Sequence, residues 1–206
     1  TSNQKLEIST TMSKQKTLAG TVSMTGVGLH TGHKVSMTFN PAEVGHGFKF
    51  KRTDLPDQPI IPALATQVSQ TARGTTIGKG ELTVNTVEHV LAALVGLEID
   101  NCLIELDAPE PPIADGSALP FMRILEEVGT VEQDAEKNYY VITEPIIYKD
   151  EEENVEIIAL PADNYQVTVM VDYATDVLGS QNAHMNDISE FKTHFASSRT
   201  FSFLHE

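Results

Sequence analysis

The sequence predicts an α+β fold in two domains, and three observations carry that reading. Residues 16–80 are dominated by short alternating runs, residues 86–97 and 117–128 are apolar at helical spacing, and strand patterns return after a charged stretch at 129–138. Strands grouped ahead of helices are the mark of the α+β class.

Each element has its own signal. Residues 1–13 are a polar tail without periodicity, and the first α+β domain is expected over 14–130. Its runs at 17–25 and 34–39, joined by the glycine-rich connection 26–32, read as a hairpin. Two more runs, 47–52 and 61–69, precede the turn segments Asp54-Leu55-Pro56-Asp57 and Thr71-Ala72-Arg73-Gly74. A helix at 86–97, a strand at 101–107 and a helix at 117–128 complete the unit. Residues 131–138 lack apolar periodicity and read as an interdomain linker. The second α+β domain, 139–206, opens with runs at 139–148, 154–159 and 165–171 and a helix at 187–197, so it begins to repeat the order of the first. The sequence stops at Glu206 directly after a patterned stretch, with no linker or C-cap signal, and is expected to be truncated there.

Composition excludes several function classes. Fourteen Lys and Arg against 29 Asp and Glu give a formal charge of −15, which argues against binding nucleic acid or anionic lipid. The lone Cys102 cannot form a disulfide within the chain, and neither an 18-residue apolar run nor a secretory signal is visible. A cytoplasmic protein without a transmembrane segment is expected.

The most informative segment is Asn85-Thr86-Val87-Glu88-His89-Val90-Leu91-Ala92-Ala93-Leu94-Val95-Gly96-Leu97. On a helical wheel Val87, Val90, Leu91, Leu94, Val95 and Leu97 form one apolar arc. Glu88 and His89 share the remainder with Ala92, Ala93 and Gly96, and such small residues imply that another element or a ligand comes close, placing Glu88 and His89 in a cleft. Zinc hydrolases need neutral ligands on the metal and a carboxylate, free of the metal, that takes a proton from the attacking water. Adjacent Glu and His can divide those roles. The same residues also fit a plainer account, with Asn85 as N-cap, Glu88 as the capping-box acid and His89 as a hydrogen-bonded core residue. One histidine does not make a catalytic zinc site, and the other six form no HxH or HxxxH pair.

Five motifs resemble, in order, the UDP-3-O-acyl-N-acetylglucosamine deacetylase family. They are Gly26-Val27-Gly28-Leu29-His30-Thr31-Gly32, then Thr86 to Leu94, Ile99-Asp100-Asn101, Pro112-Ile113-Ala114-Asp115-Gly116-Ser117-Ala118, and Ser198-Arg199-Thr200-Phe201. The resemblance implies zinc-dependent hydrolysis of the acetamide of a UDP-linked acylated amino sugar in lipid A synthesis. It implies two similar α+β domains, each with a sheet layered against helices, the second incomplete here. By position, Glu88 matches the general base, His89 a zinc ligand and Thr200 the oxyanion donor, while Phe201, Phe203 and Tyr173 match substrate-binding positions. The family's other two zinc ligands and its general acid would come from the remainder of the protein beyond Glu206. Some members are fused to an acyl-carrier-protein dehydratase.

Other motifs have structural readings. Gly26-x-Gly28 is followed by a strand, so it reads as a hairpin turn rather than a phosphate loop, and His30 within it receives no role. Asp115-Gly116-Ser117 reads as a turn and N-cap, with Asp115 a possible partner of the site. The acidic block 150–153 reads as a solvated turn. A catalytically inactive fragment serving as a binding or structural module is the alternative to an enzyme.

Overall fold

The computed structural model describes residues 13–173 and 176–201. The run predicted at 17–25 divides between two strands, β1 (Lys14–Leu18) and β2 (Val22–Val27), which join different sheets. β3 (Lys34–Pro41) folds back antiparallel on β2, pairing Val22 with Phe39 and Val27 with Lys34, so the predicted hairpin is present. Next come β4 (Phe48–Arg52) and β5 (Ile60–Pro62). The run expected at 61–69 breaks at Pro62, which has no N–H to continue a ladder, into a 3-10 turn at Ala65–Gln67 and β6 (Val68–Gln70). A three-stranded antiparallel sheet follows, made by β6, β7 (Thr76–Lys79) and β8 (Leu82–Val84). Then come α1 (Glu88–Gly96), β9 (Cys102–Leu106), α2 (Leu119–Val128) and β10 (Thr130–Glu136).

β9 completes the main sheet. It inserts between β3 and β4, antiparallel to one and parallel to the other, giving the order β2-β3-β9-β4-β5. Because side chains alternate across a strand, Val35, Met37 and Phe39 of β3, Phe50 of β4 and Cys102, Ile104 and Leu106 of β9 enter one buried cluster. Val90, Ala93 and Leu94 of α1 and Phe121, Met122 and Leu125 of α2 close it. The helix face that is buried differs from the predicted arc: Val95 is exposed while Ala93 is fully buried. The face carrying Ala92 and Gly96 is indeed approached by another element, since a Cβ on Gly96 would collide with the ring of Phe191. An apolar cavity of about 400 Å³ opens beside it, lined by Leu91, Ala92, Val95 and Gly96 and by Val167 and Met185, and neither Glu88 nor His89 lines it. This cavity is therefore not the cleft expected around those two residues.

Within the stretch expected as an interdomain linker, residues 131–136 belong to a strand. Thr130–Glu136 pairs with β1, placing Leu18 opposite Thr130 and Lys14 opposite Glu136. Its side chains are mostly exposed, which removes the apolar alternation from the sequence, while Lys14 Nζ to Asp134 at 2.7 Å reinforces the pair. Further on, only Ile146–Asp150 (β11) forms a strand within the run expected at 139–148, and it pairs with Val155–Ala159 (β12). Val167–Asp172 (β13) pairs with Ser180–Met185 (β14), a strand too polar to be noticed in sequence. The helix expected at 187–197 is a 3-10 turn at Ile188–Glu190 running into a π turn at Phe191–Phe195. No described helix is long and apolar enough to cross a membrane.

Candidate active site around Glu88

α1 begins at Glu88 itself, so the capping-box geometry does not form: Val87 is the N-cap residue and offers no side-chain bond. Asn85 Oδ1 instead accepts from the hydroxyl of Thr76 at 3.1 Å. One oxygen of Glu88, Oε2, accepts the backbone N–H of Thr75 at 2.9 Å. The other faces Gly74, where a Cβ would lie 3.4 Å from Glu88 Oε1, 3.4 Å from Thr86 Oγ1 and 3.8 Å from His30 Nε2. Three polar side chains from two segments thus converge on the backbone at Gly74. His30 Nε2 lies 3.0 Å from the carbonyl of Arg73. A carbonyl only accepts, so this nitrogen carries the proton. His30, given no role in the sequence reading, and the Glu88 carboxylate both reach the backbone around Gly74.

His89 is half-buried one position along the helix, and its ring makes no hydrogen bond to a described residue. That suits an imidazole available to a metal, in kind but not in number. Among the described residues no group of three or more His, Cys, Asp or Glu is placed to hold an ion, and a catalytic zinc takes about three protein ligands.

Among the described residues, Thr200, Phe201 and Tyr173 form a second group. Thr200 is exposed, and its backbone N–H donates to the carbonyl of Gly116 at 2.9 Å. Arg199 lies 3.6 Å from Asp115, whose carboxylate also accepts the hydroxyl and N–H of Ser117 at 2.7 and 3.1 Å. The Ser117 hydroxyl first, then its N–H and the Arg199 charge, hold Asp115 below the usual carboxylate range despite some burial. Asp115 is therefore a turn residue that also docks the 198–200 segment. Tyr173 and Phe201 meet edge to face with centroids 5.3 Å apart. Phe203 lies outside the described residues. No hydrogen bond among the described residues links Thr200 to Glu88 or His89.

The glycines of Gly26-x-Gly28 are explained by contact. A Cβ on Gly26 would sit 2.6 Å from Pro112 Cβ, and one on Gly28 would sit 2.5 Å from both Glu110 Oε2 and Thr31 Oγ1. The motif packs on the 110–112 segment; it is not a phosphate loop. Glu110, unremarked in the sequence, is 1% exposed. Burial is the largest influence and pushes its carboxyl up, but bonds from Thr31 N–H, Thr86 hydroxyl, His30 N–H and Thr31 hydroxyl outweigh it and hold it below the ordinary glutamate range. Ile99-Asp100-Asn101 is structural too: Asn101 joins Gln15, Gln133 and the Gly47 N–H at 2.7–2.8 Å.

Comparison with known proteins identifies relatives over most of the chain. Residues 15–206 match the family profile described as LpxC: UDP-3-O-acyl N-acetylglycosamine deacetylase. The chain is 53% identical over 193 residues to the bifunctional enzyme LpxC/FabZ of Chlorobaculum tepidum, covering 93% of this chain and 41% of that protein. It is 39% identical over 193 residues to the UDP-3-O-acyl-N-acetylglucosamine deacetylase of Myxococcus xanthus, covering 93% and 61%. It is 41% identical over 192 residues to that of Bdellovibrio bacteriovorus, covering 92% and 63%. The chain thus spans from 41% to 63% of the length of these relatives. It belongs to the UDP-3-O-acyl N-acetylglycosamine deacetylase family.

Proposed function

We propose that this chain supplies the base-bearing part of a cytoplasmic deacetylase that hydrolyses the acetamide of UDP-3-O-acyl-N-acetylglucosamine, releasing acetate, in lipid A synthesis. The observation that carries the reading is the state of Glu88: one carboxylate oxygen is fixed by the Thr75 N–H while the other stays open beside Gly74. A base fixed in this way keeps its orientation and retains a lone pair for the proton of the attacking water. Zn2+ would be held in part by His89 and would polarise the acetyl carbonyl and make water more acidic. Two further ligands and the acid that protonates the leaving amine are assigned to residues beyond Glu206. Thr200 donates its hydroxyl to the oxygen that gains charge in the transition state, an interaction that strengthens only there. Tyr173 and Phe201, whose rings already touch, and Phe203 present apolar surface to the nucleotide and acyl parts of the substrate. The second domain begins at residue 139.

The test is Glu88→Gln in the full-length protein. The amide oxygen still accepts the Thr75 N–H, so the fold is kept, but the proton acceptor is lost. Turnover is expected to fall by about 10²- to 10⁴-fold. Turnover within about twofold of the parent would refute Glu88 as the base, whereas no turnover in the folded parent itself would favour the inactive binding or structural module.

A further inference from the structure

We propose that Glu110 is a positioning residue of this site: its buried carboxylate, bonded at once to the loop carrying His30 and to Thr86, fixes the backbones from which His30 reaches Arg73 and Glu88 reaches Thr75. The proposal rests on the reading of Glu88 as the base. Oε1 of Glu110 accepts the Thr86 hydroxyl at 2.8 Å, and Oε2 accepts the Thr31 N–H and hydroxyl, both at 2.9 Å. The His30 N–H reaches both oxygens at 3.2 and 3.1 Å. One carboxylate therefore ties together segments 80 and 24 residues away from it in sequence.

Each tie ends next to a site group. Thr86, two residues before Glu88, holds a left-handed backbone with φ of 54°, which a β-branched residue adopts only when its surroundings enforce it. Its hydroxyl bond to Glu110 is such an enforcement. On the other side, fixing the backbone of His30 aims its ring at the carbonyl of Arg73. Glu88 grips the next N–H but one, that of Thr75. The backbone at 73–75 is thus held at Arg73 and at Thr75 by side chains whose own backbones Glu110 anchors.

A merely structural tie would not need a charge here. Burying a carboxylate is costly, no cation pairs with Glu110 among the described residues, and an apolar residue of the same shape is often as stable. What the ionised group uniquely provides is simultaneous acceptance from four N–H and O–H donors in one orientation. Gly28 is confined to a hydrogen side chain by the same carboxylate oxygen.

The test compares Glu110→Leu, Glu110→Gln, Thr86→Val and Glu88→Gln in the full-length protein, measuring kcat, KM and thermal midpoint for each. Leucine keeps the bulk and removes every acceptor, so kcat per folded molecule is expected to fall about 10- to 100-fold, with KM changing less than about threefold. Glutamine can keep the loop donors on its amide oxygen while the Thr86 hydroxyl turns to accept, but it lacks the charge and the second acceptor, so it should recover kcat only in part, to a value between those of the leucine variant and the parent. Thr86→Val should lower kcat at least about fivefold, and combining it with Glu110→Leu should add little, because both remove the same tie. Should Glu110→Leu fail to fold, Thr86→Val alone carries the test. Unchanged kcat per folded molecule in Glu110→Leu or Thr86→Val, whatever the midpoint does, overturns the proposal provided that Glu88→Gln is inactive. If Glu88→Gln is itself active, the reading of the base has failed instead.

Discussion

A single methyl at Gly28 is expected to unseat the β2–β3 loop from the segment that carries Glu110. The new Cβ would lie 2.5 Å from Glu110 Oε2 and 2.5 Å from Thr31 Oγ1, so one of them must move by about an ångström to reach an ordinary contact. Moving Oε2 gives up the bonds from the Thr31 N–H and hydroxyl, each 2.9 Å long. Bonds to a charged group contribute about 1.5–3 kcal/mol apiece, while alanine recovers about 0.4–1 kcal/mol through the unfolded chain, leaving a net loss of about 2–5 kcal/mol. For a chain of this length that lowers the thermal midpoint by roughly 5–15 °C. Gly32 provides the contrast: its φ is 66° but nothing lies within 4 Å of its would-be Cβ. Gly32→Ala therefore incurs only left-handed backbone strain of about 1–2 kcal/mol. Thermal unfolding followed by circular dichroism at neutral pH measures both. Gly28→Ala melting within about 2 °C of the parent, or Gly32→Ala proving the more damaging, would refute the packing argument.

Asn101→Ala removes three bonds to Gln15, Gln133 and Gly47 from a residue 1% exposed, and should destabilise by about 2–4 kcal/mol in denaturant titration. Burial pushes the Cys102 thiol up to about 12, so it should resist disulfide reagents at neutral pH in the native protein and react once denaturant is added. The Glu110 carboxyl is depressed in the folded state, so its contribution is present above the unfolded glutamate range and is lost as pH falls through the folded value. The stability gap between parent and Glu110→Leu should accordingly narrow as pH is lowered from about 7 to about 3.

Much of this was legible in the residues. Alternation marked β3, β4 and β9 because each is half-buried against helices, and the helical spacing of 86–97 and 117–128 marked α1 and α2 to within two residues at their starts. Where burial was missing the pattern was missing too: β10 and β14 are held by backbone pairing with exposed, polar side chains, so 131–138 read as a linker and 180–185 went unseen. The pairing of Glu88 with His89 was visible as local sequence, but Glu110 and His30 were not. Their relation to Glu88 exists only through long-range bonds, and the one trace it leaves in sequence is indirect: glycines at 26 and 28, kept small by Pro112 and Glu110.

Zinc content of the full-length protein tests the central claim most directly. Metal analysis of the parent, Glu88→Gln and His89→Ala after identical purification is expected to find zinc retained in the first two and lost from the third, because the imidazole ligates while the carboxylate only takes the proton. Zinc retained in His89→Ala at the parent's level, or lost from Glu88→Gln in a protein that remains folded, would contradict that division of roles.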